Sequence, residues 1–193
     1  VCNRMEGQTM TPLILTSMAD MHKLTADTII DVRAPAEYAE DHLPGAINLP
    51  VLSDAERAKV GAIYKQASPF AARKIGGALV AHNTAAHLRG ALAEKDGAWQ
   101  PLIYCWRGGQ RSSAFATILD QVGWRVKLLQ GGYQSYRREI VRTLYKTPLP
   151  HRLILISGST GTAKTALLHQ LVAKGAQVLD IEEIAAHRGS LFG

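Results

Sequence analysis

Cys105-Trp106-Arg107-Gly108-Gly109-Gln110-Arg111-Ser112 packs a thiol, a glycine pair and two guanidinium groups into one short stretch. Pro101-Leu102-Ile103-Tyr104 before it reads as a short buried strand, and Ser112 to Val122 has a helical pattern that stops at Gly123. A cysteine between a strand end and a helix start faces a fan of backbone N–H groups. Those donors and the helix dipole favour a thiolate over a thiol, and the same fan can hold an oxyanion. Gly108 and Gly109 let the backbone curl around a ligand with no Cβ in the way. Arg111 stands where a guanidinium could close the cradle, and Arg107 adds charge. The Cys-x5-Arg spacing alone is weak, since a buried, inert cysteine near a surface arginine has it too. The strand before, the glycines inside and the helix after are what single out Cys105 as a reactive nucleophile.

A second glycine loop, Gly158-Ser159-Thr160-Gly161-Thr162-Ala163-Lys164-Thr165, follows the apolar run Leu153-Ile154-Leu155-Ile156 and opens a helical pattern. That is the context of a phosphate-binding P-loop. Backbone N–H groups would wrap the phosphates, Lys164 would reach their outer oxygens and Thr165 could bind Mg²⁺, with Asp180 as a candidate partner for the metal. Ala163 stands where the pattern has glycine. If phosphates need close backbone approach there, its methyl group weakens nucleotide binding. No resident metal site is expected, because His42, His82, His87, His151, His169 and His187 show no ligand spacing with the cysteines.

The elements that must position these loops alternate strand and helix. Thr28 to Val32 is a β-branched strand closed by Pro35, and Ala36 to Glu40 makes a helical turn. Pro44-Gly45 turns the chain into Ala46-Ile47-Asn48-Leu49. Ser53 to Glu94 favours helix, with interruptions expected near Ser68-Pro69 and Gly76-Gly77. Arg125 to Leu129 alternates like a strand up to Gly131-Gly132, and Tyr133 to Tyr145 is helical. Pro148 and Pro150 break the pattern, which restarts with a buried strand at Leu153–Ile156, a helix from Thr165 to Lys174, a strand from Gln177 to Ile181 and a helical turn from Glu182. The expectation is an α/β architecture with a largely parallel sheet flanked by helices. It comprises a polar tail (1–10), a first domain (11–147) and a partial P-loop domain (148–193).

The chain has 193 residues, 22 Lys+Arg against 16 Asp+Glu, and 47% apolar residues, so it reads as a globular protein with a real core. No apolar run is long enough to cross a bilayer, and the first ten residues, starting at Val1, lack a secretory stretch. With two cysteines, Cys2 and Cys105, the expectation is a reducing, cytoplasmic setting. The net charge of +6 is ordinary for solubility, yet Arg137, Arg138, Arg142, Lys146 and Arg152 cluster, which suits an anionic partner. Trp99, Trp106 and Trp124 read as core or loop anchors.

Asp31-Val32-Arg33, Glu37-Tyr38 and His42-Leu43-Pro44-Gly45-Ala46-Ile47-Asn48 resemble the first half of a rhodanese domain. Cys105 with its loop and Leu129-Gln130-Gly131-Gly132-Tyr133 resemble the second half. In rhodaneses the cysteine carries a persulfide and passes its sulfur to an acceptor. The resemblance therefore makes Cys105 the chalcogen carrier, Trp106 to Arg111 the loop around it, and Asp31 and Arg33 structural residues beside that loop. Many sulfur-transferring rhodaneses have a loop one residue shorter. The longer Cys-x5-Arg loop is similar to that of dual-specificity phosphatases and arsenate reductases on the same fold, whose wider cradle holds a tetrahedral oxyanion. Those phosphatases usually have histidine before the cysteine, where this chain has Tyr104.

A rhodanese domain followed directly by a P-loop, with the octet at 105–112, resembles the tRNA 2-selenouridine synthase family. Ile63-Tyr64-Lys65-Gln66, Ser68-Pro69-Phe70, Gly131-Gly132-Tyr133 to Tyr136-Arg137, and Ala186-His187-Arg188-Gly189-Ser190 fit it too. The resemblance implies replacement of the 2-thio sulfur of a tRNA wobble uridine by selenium from selenophosphate, through a geranylated thiouridine made from geranyl diphosphate. It implies Cys105 in the selenium step, the P-loop region on a diphosphate or tRNA, and a selenophosphate-producing enzyme as a possible partner. Family members continue well past residue 193, so a C-terminally truncated chain is expected. The alternatives are a stand-alone thiosulfate sulfurtransferase, a Cys-x5-Arg phosphatase or arsenate reductase-like enzyme, and a non-enzymatic RNA- or anion-binding remnant.

Overall fold

Five short strands pair side by side in parallel, in the order β1-β5-β4-β2-β3. They are β1 (Thr11–Leu13), β2 (Thr28–Asp31), β3 (Ala46–Asn48), β4 (Pro101–Tyr104) and β5 (Lys127–Leu129). The helices are α1 (Pro35–Glu40), α2 (Asp54–Gln66), α3 (Pro69–Arg89), α4 (Gln110–Val122), α5 (Gly132–Tyr145), α6 (Lys164–Ala173) and α7 (Ile181–Ile184), with a 3₁₀ helix at Met18–Lys23. The computed structural model describes residues 10–23, 25–148, 151–159 and 161–186. The expected tail before Met10, Cys2, Pro150, Thr160 and His187-Arg188-Gly189-Ser190 lie outside them. The chain divides into two compact units, Val1–Pro148 and Leu149–Gly193.

The two faces of the sheet follow from the two-residue period of a strand. Ile30, Val32, Ile103 and Cys105 join Val80, Phe115, Leu119, Trp99 and Trp124 in one core, roofed by α3 and α4. Leu102, Tyr104, Ala46 and Leu129 join Leu43, Tyr133 and Tyr136 in the other, roofed by α5. β4 is central and buried throughout, so the residue after it starts from the least mobile part of the sheet.

Helix starts obey local chemistry. The Ser53 hydroxyl accepts the Glu56 N–H at 3.3 Å while the Glu56 carboxylate accepts the Ser53 N–H at 2.8 Å, a capping box at the head of α2. Ser68 caps α3 ahead of Pro69, which is where the α2–α3 break was expected. The second expected break is absent: α3 runs straight through Gly76 and Gly77. Each glycine costs the helix about 0.5–1 kcal/mol relative to alanine, but Ala72, Val80 and Thr84 are buried along α3 and hold it together.

β1 and the 3₁₀ helix are elements that the sequence reading did not anticipate. Thr11 to Leu13 is too short and too exposed to show a pattern, and it is a strand because β5 offers it a parallel edge. The second unit corrects the reading in the other direction. Leu153–Ile156 and Gln177–Ile181, expected as strands, are not strands, and Leu153, Ile154 and Leu155 are exposed. A parallel strand needs a neighbour to take its backbone hydrogen bonds, and the described residues of this unit provide none. The helix after the glycine loop, α6, is present and ends before Gly175, which has φ +85°.

Candidate active site

The site is built where β4 stops and α4 starts. Cys105 follows the last residue of β4 and is almost fully buried, while Arg107, Gly108, Gly109 and Gln110 form an exposed rim above it. The Cys105 sulfur accepts the Gly109 N–H at 3.3 Å and lies 3.1 Å from the Ser112 hydroxyl. Ser112 is wholly buried in the first turn of α4, so a negative charge on the sulfur faces two donors and the positive end of a helix. The first-turn amides of α4 have no intrahelical acceptors and open towards the loop.

The loop is pinned from behind by α5. The N–H groups of Tyr133 and Gln134 donate to the carbonyls of Cys105 and Trp106 at 2.9 and 3.1 Å. This close approach is why residue 132 is glycine. It has φ +57°, and a Cβ there would run into the Cys105 carbonyl oxygen and sit 2.6 Å from the Gly108 nitrogen. Gly108 is also left-handed, at φ +67°, and faces the backbone of Gly131 and Leu129.

Asp31 and Arg33 form a wholly buried ion pair beneath the loop. Arg33 donates from Nε to both Asp31 oxygens at 3.1 and 2.9 Å, from Nη2 to Oδ2 at 2.7 Å, and to the Asp41 carbonyl at 2.6 Å. Burial by itself disfavours the charged guanidinium, but the hydrogen bonds and charge of Asp31 outweigh it and raise the Arg33 pKa. The guanidinium lies over the Tyr133 ring at 4.2 Å, and Tyr133 stacks on Trp106 at 5.3 Å. Burial, with the Tyr133 hydroxyl donating to Asp41 at 2.6 Å, pushes the Tyr133 pKa up to about 12. Tyr104, whose hydroxyl accepts the Leu43 N–H, is raised further, first by burial and then by the Asp31 charge. Trp106 is thus anchored to the structure, while Trp99 and Trp124 pack edge to face in the core.

Arg111, on the first turn of α4, is held by Glu37 of α1, with Nη1 donating at 2.6 Å and Nη2 at 3.4 Å. Glu37 also accepts the Ala34 N–H and lies 4.0 Å from Arg57. Burial tends to raise the Glu37 pKa, but Arg111 outweighs it and holds the carboxyl below its ordinary value. Two participants escaped the sequence reading. Ser112 carried a signal, a small hydroxyl residue seven positions after the cysteine on the same helical turn as the loop end. Glu37 stood within the rhodanese-like pattern as Glu37-Tyr38, but its pairing with Arg111 had no local signal, since the two are 74 residues apart.

The glycine loop lies in the second unit. Gly158, Ser159, Gly161, Thr162, Ala163, Lys164 and Thr165 are described there. Lys164 Nζ donates to the carbonyls of Gly158 and Ser159 at 2.7 and 3.0 Å, and the Thr162 hydroxyl donates to Ser159. Ala163 caps α6 in the left-handed region, φ +56° and ψ +28°, a conformation that favours glycine. Asp180 accepts the N–H groups of Glu182 and Glu183 as the cap of α7. Among the described residues no three His, Cys, Asp or Glu side chains group as metal ligands, and no helix is long and apolar enough to cross a membrane. On α5 Arg137 and Arg138 are exposed, as is Lys146 just after it, whereas Arg142 is paired with Glu139 at 2.7 Å.

A five-stranded parallel sheet with a buried cysteine under a glycine-containing loop defines the class, and the family comparison agrees with it. The rhodanese-like domain model matches residues 15–139, and the chain belongs to that family. A further model, of the tRNA 2-selenouridine synthase AAA domain, matches residues 151–193.

Over most of its length the chain is similar to tRNA 2-selenouridine synthases. It is 41% identical over 170 residues to that of Nitrosomonas europaea, covering 87% of this chain and 44% of the relative. It is 39% identical over 174 residues to that of Bdellovibrio bacteriovorus, covering 86% and 43%. The chain thus spans less than half the length of these relatives. Among solved structures, the N-terminal domain of a Clostridium difficile 630 protein named for ATP/GTP binding superposes with a TM-score of 0.56 at 32% identity. That likeness covers 69% of this chain and 99% of that domain.

Proposed function

We propose that this chain carries the chalcogen-handling part of a tRNA 2-selenouridine synthase, with Cys105 as the carrier. The observation that supports this most directly is the Cys105 sulfur, seated under the Gly109 N–H and the Ser112 hydroxyl at the base of an exposed loop. A thiolate there has its charge met by donors, and the exposed rim admits a small anionic donor from above. With thiosulfate, the sulfur of Cys105 attacks the outer sulfur, an S–S bond forms and sulfite leaves with the electron pair of the broken bond.

In the full reaction the acceptor is the wobble 2-thiouridine of a tRNA. Its sulfur is first alkylated with loss of diphosphate from geranyl diphosphate. Selenium originating in selenophosphate then takes its place at carbon 2, and the alkylated sulfur departs as a thiol. The exposed basic residues of α5 suit the tRNA backbone. At residues 158–165 the ligand of this reading is a diphosphate or an RNA phosphate, with the Lys164 ammonium, bonded here to the Gly158 and Ser159 carbonyls, as the cation that meets it. The localisation that goes with this role is cytoplasmic.

Intact mass after incubation with thiosulfate tests the carrier role. The wild-type chain gains one sulfur atom and Cys105→Ser gains none. Absence of an adduct, with phosphate released from an aryl phosphate instead, would replace this reading by a Cys-x5-Arg phosphatase.

A further inference from the structure

Arg111 completes the Cys-x5-Arg spacing, yet among the described residues both hydrogen bonds of its guanidinium go to Glu37 of α1. Its charge is met there. The donors that reach the Cys105 sulfur, the Gly109 N–H and the Ser112 hydroxyl, are neutral. An anion arriving above Cys105 therefore needs a net cation from another source.

Two guanidinium groups beside the loop have no partner. Arg107 is exposed on the rim and Arg138 is exposed on α5, and among the described residues neither side chain makes an ion pair or hydrogen bond. Glu139, next to Arg138 in the chain, is taken by Arg142 at 2.7 Å.

Helix geometry carries Arg138 to the loop. Side chains on a helix lean towards its N-terminus, so a long one in the second turn of α5 covers the start of that helix. The Nη2 of Arg138 lies 3.5 Å from where a Cβ on Gly131 would be. Gly131 in turn meets the cysteine loop, since its nitrogen lies 3.0 Å from where a Cβ on Gly108 would be. The guanidinium thus stands over the turn on which the loop rests, beside the Tyr133 and Gln134 amides that bond to the loop carbonyls. Its charge acts over about 10 Å at 0.1 M salt and further at lower salt.

We infer that Arg138, with Arg107, supplies the positive field that draws an oxyanionic chalcogen donor onto Cys105, the part that the Cys-x5-Arg spacing gives to Arg111. The inference deepens the proposed function and rests on it for the identity of the donor.

Alkylation of the full chain by iodoacetate and iodoacetamide, read on the Cys105 peptide by mass spectrometry at about 10 mM salt, tests it. The two reagents meet the same thiolate and differ by one negative charge. The ratio of their rates therefore cancels a change in thiol pKa or in loop opening and reports the field. Arg138→Gln lowers the ratio about threefold and Arg107→Gln does likewise, and both effects vanish at 1 M salt. Arg125→Gln removes an equal charge from the other end of the parallel sheet, about 16 Å away at 3.3 Å per residue, and lowers the ratio less than about 1.5-fold. Thiosulfate has twice the charge of iodoacetate, so in Arg138→Gln its half-saturating concentration for loading rises about ninefold at an unchanged limiting rate.

An unchanged ratio in either rim variant, or an equal fall in Arg125→Gln, overturns the inference. Alkylation needs no chalcogen, which separates the two readings. Loading of the wild-type chain with an unchanged ratio in the variants removes the assignment of Arg138 and Arg107 alone. A fall in the ratio without loading of the wild-type chain removes the carrier role alone.

Discussion

Glu37→Gln removes the charge that ties α1 to the start of α4 while keeping the size of the side chain. The wild-type carboxylate accepts from Arg111 at 2.6 and 3.4 Å and from the Ala34 N–H at 3.1 Å. With side chains 24% and 17% exposed, the Glu37–Arg111 pair lies between a surface pair and a fully buried one. Attraction of about 4 kcal/mol at an effective dielectric constant of 20 is largely offset by desolvation of the two groups. Glutamine still offers one acceptor, and Arg57, at 4.0 Å and half exposed, adds little. The net loss is about 2 kcal/mol, which for a unit of this size lowers the melting temperature by about 4–8 °C.

The pH dependence has a definite sign. Because the folded-state pKa of Glu37 is depressed, its contribution is complete above the ordinary glutamate pKa of about 4.3 and is lost as pH falls through the depressed value. Thermal unfolding of both proteins between pH 3 and 8 reads this directly. The gap is constant at neutral pH and narrows below about pH 4.3. Equal melting at neutral pH, or a gap that survives acidification, would refute the account of the pair.

Arg33→Met leaves Asp31 buried without its partner and lowers stability by about 3–5 kcal/mol in denaturant unfolding; a loss under 1 kcal/mol would show that the pair is not what holds the strand end. Gly132→Ala forces a methyl group against the Cys105 carbonyl in a left-handed backbone. It lowers stability by about 3 kcal/mol or more and disorders the loop, seen as faster amide exchange at residues 105–109. Ser112→Ala removes one donor to the sulfur, worth about 1 kcal/mol, so alkylation of Cys105 by iodoacetamide at neutral pH slows about fivefold. An unchanged alkylation rate would mean that the hydroxyl points its proton at the Gly109 carbonyl instead, 3.1 Å away.

Much of the first unit could be read from local signals. Ser68-Pro69 marks a helix boundary because proline cannot continue a preceding helix and serine caps the next, so the break at that point is decided within three residues. The same holds for Gly123, left-handed at the end of α4, and for the run Pro101–Tyr104, apolar because both its faces are covered. The cysteine loop was legible for a related reason: strand, glycine pair and helix follow one another directly, so chain connectivity alone brings the thiol to a helix N-terminus.

Signals that depend on a neighbour misled or were silent. Gly76-Gly77 reads as a break by propensity, yet α3 continues because packing on either side of the glycines outweighs their cost. Leu153–Ile156 reads as a buried strand by composition, yet apolar residues become a strand only against a partner edge. Thr11–Leu13 carries no strand pattern and becomes one because β5 supplies that edge.

The candidate site divides along the same line. The order of residues determined where the candidate cysteine, its loop and the helix behind it come together, since those lie within a dozen positions of one another. Tertiary structure decided that Arg111 pairs with Glu37, that Arg33 supports Trp106 through Tyr133, and that α2 and α3 enclose a cavity beside the loop. Each of these joins residues far apart in the chain, and only the packing of helices on a common sheet brings them within the few ångströms over which hydrogen bonds and ring contacts act.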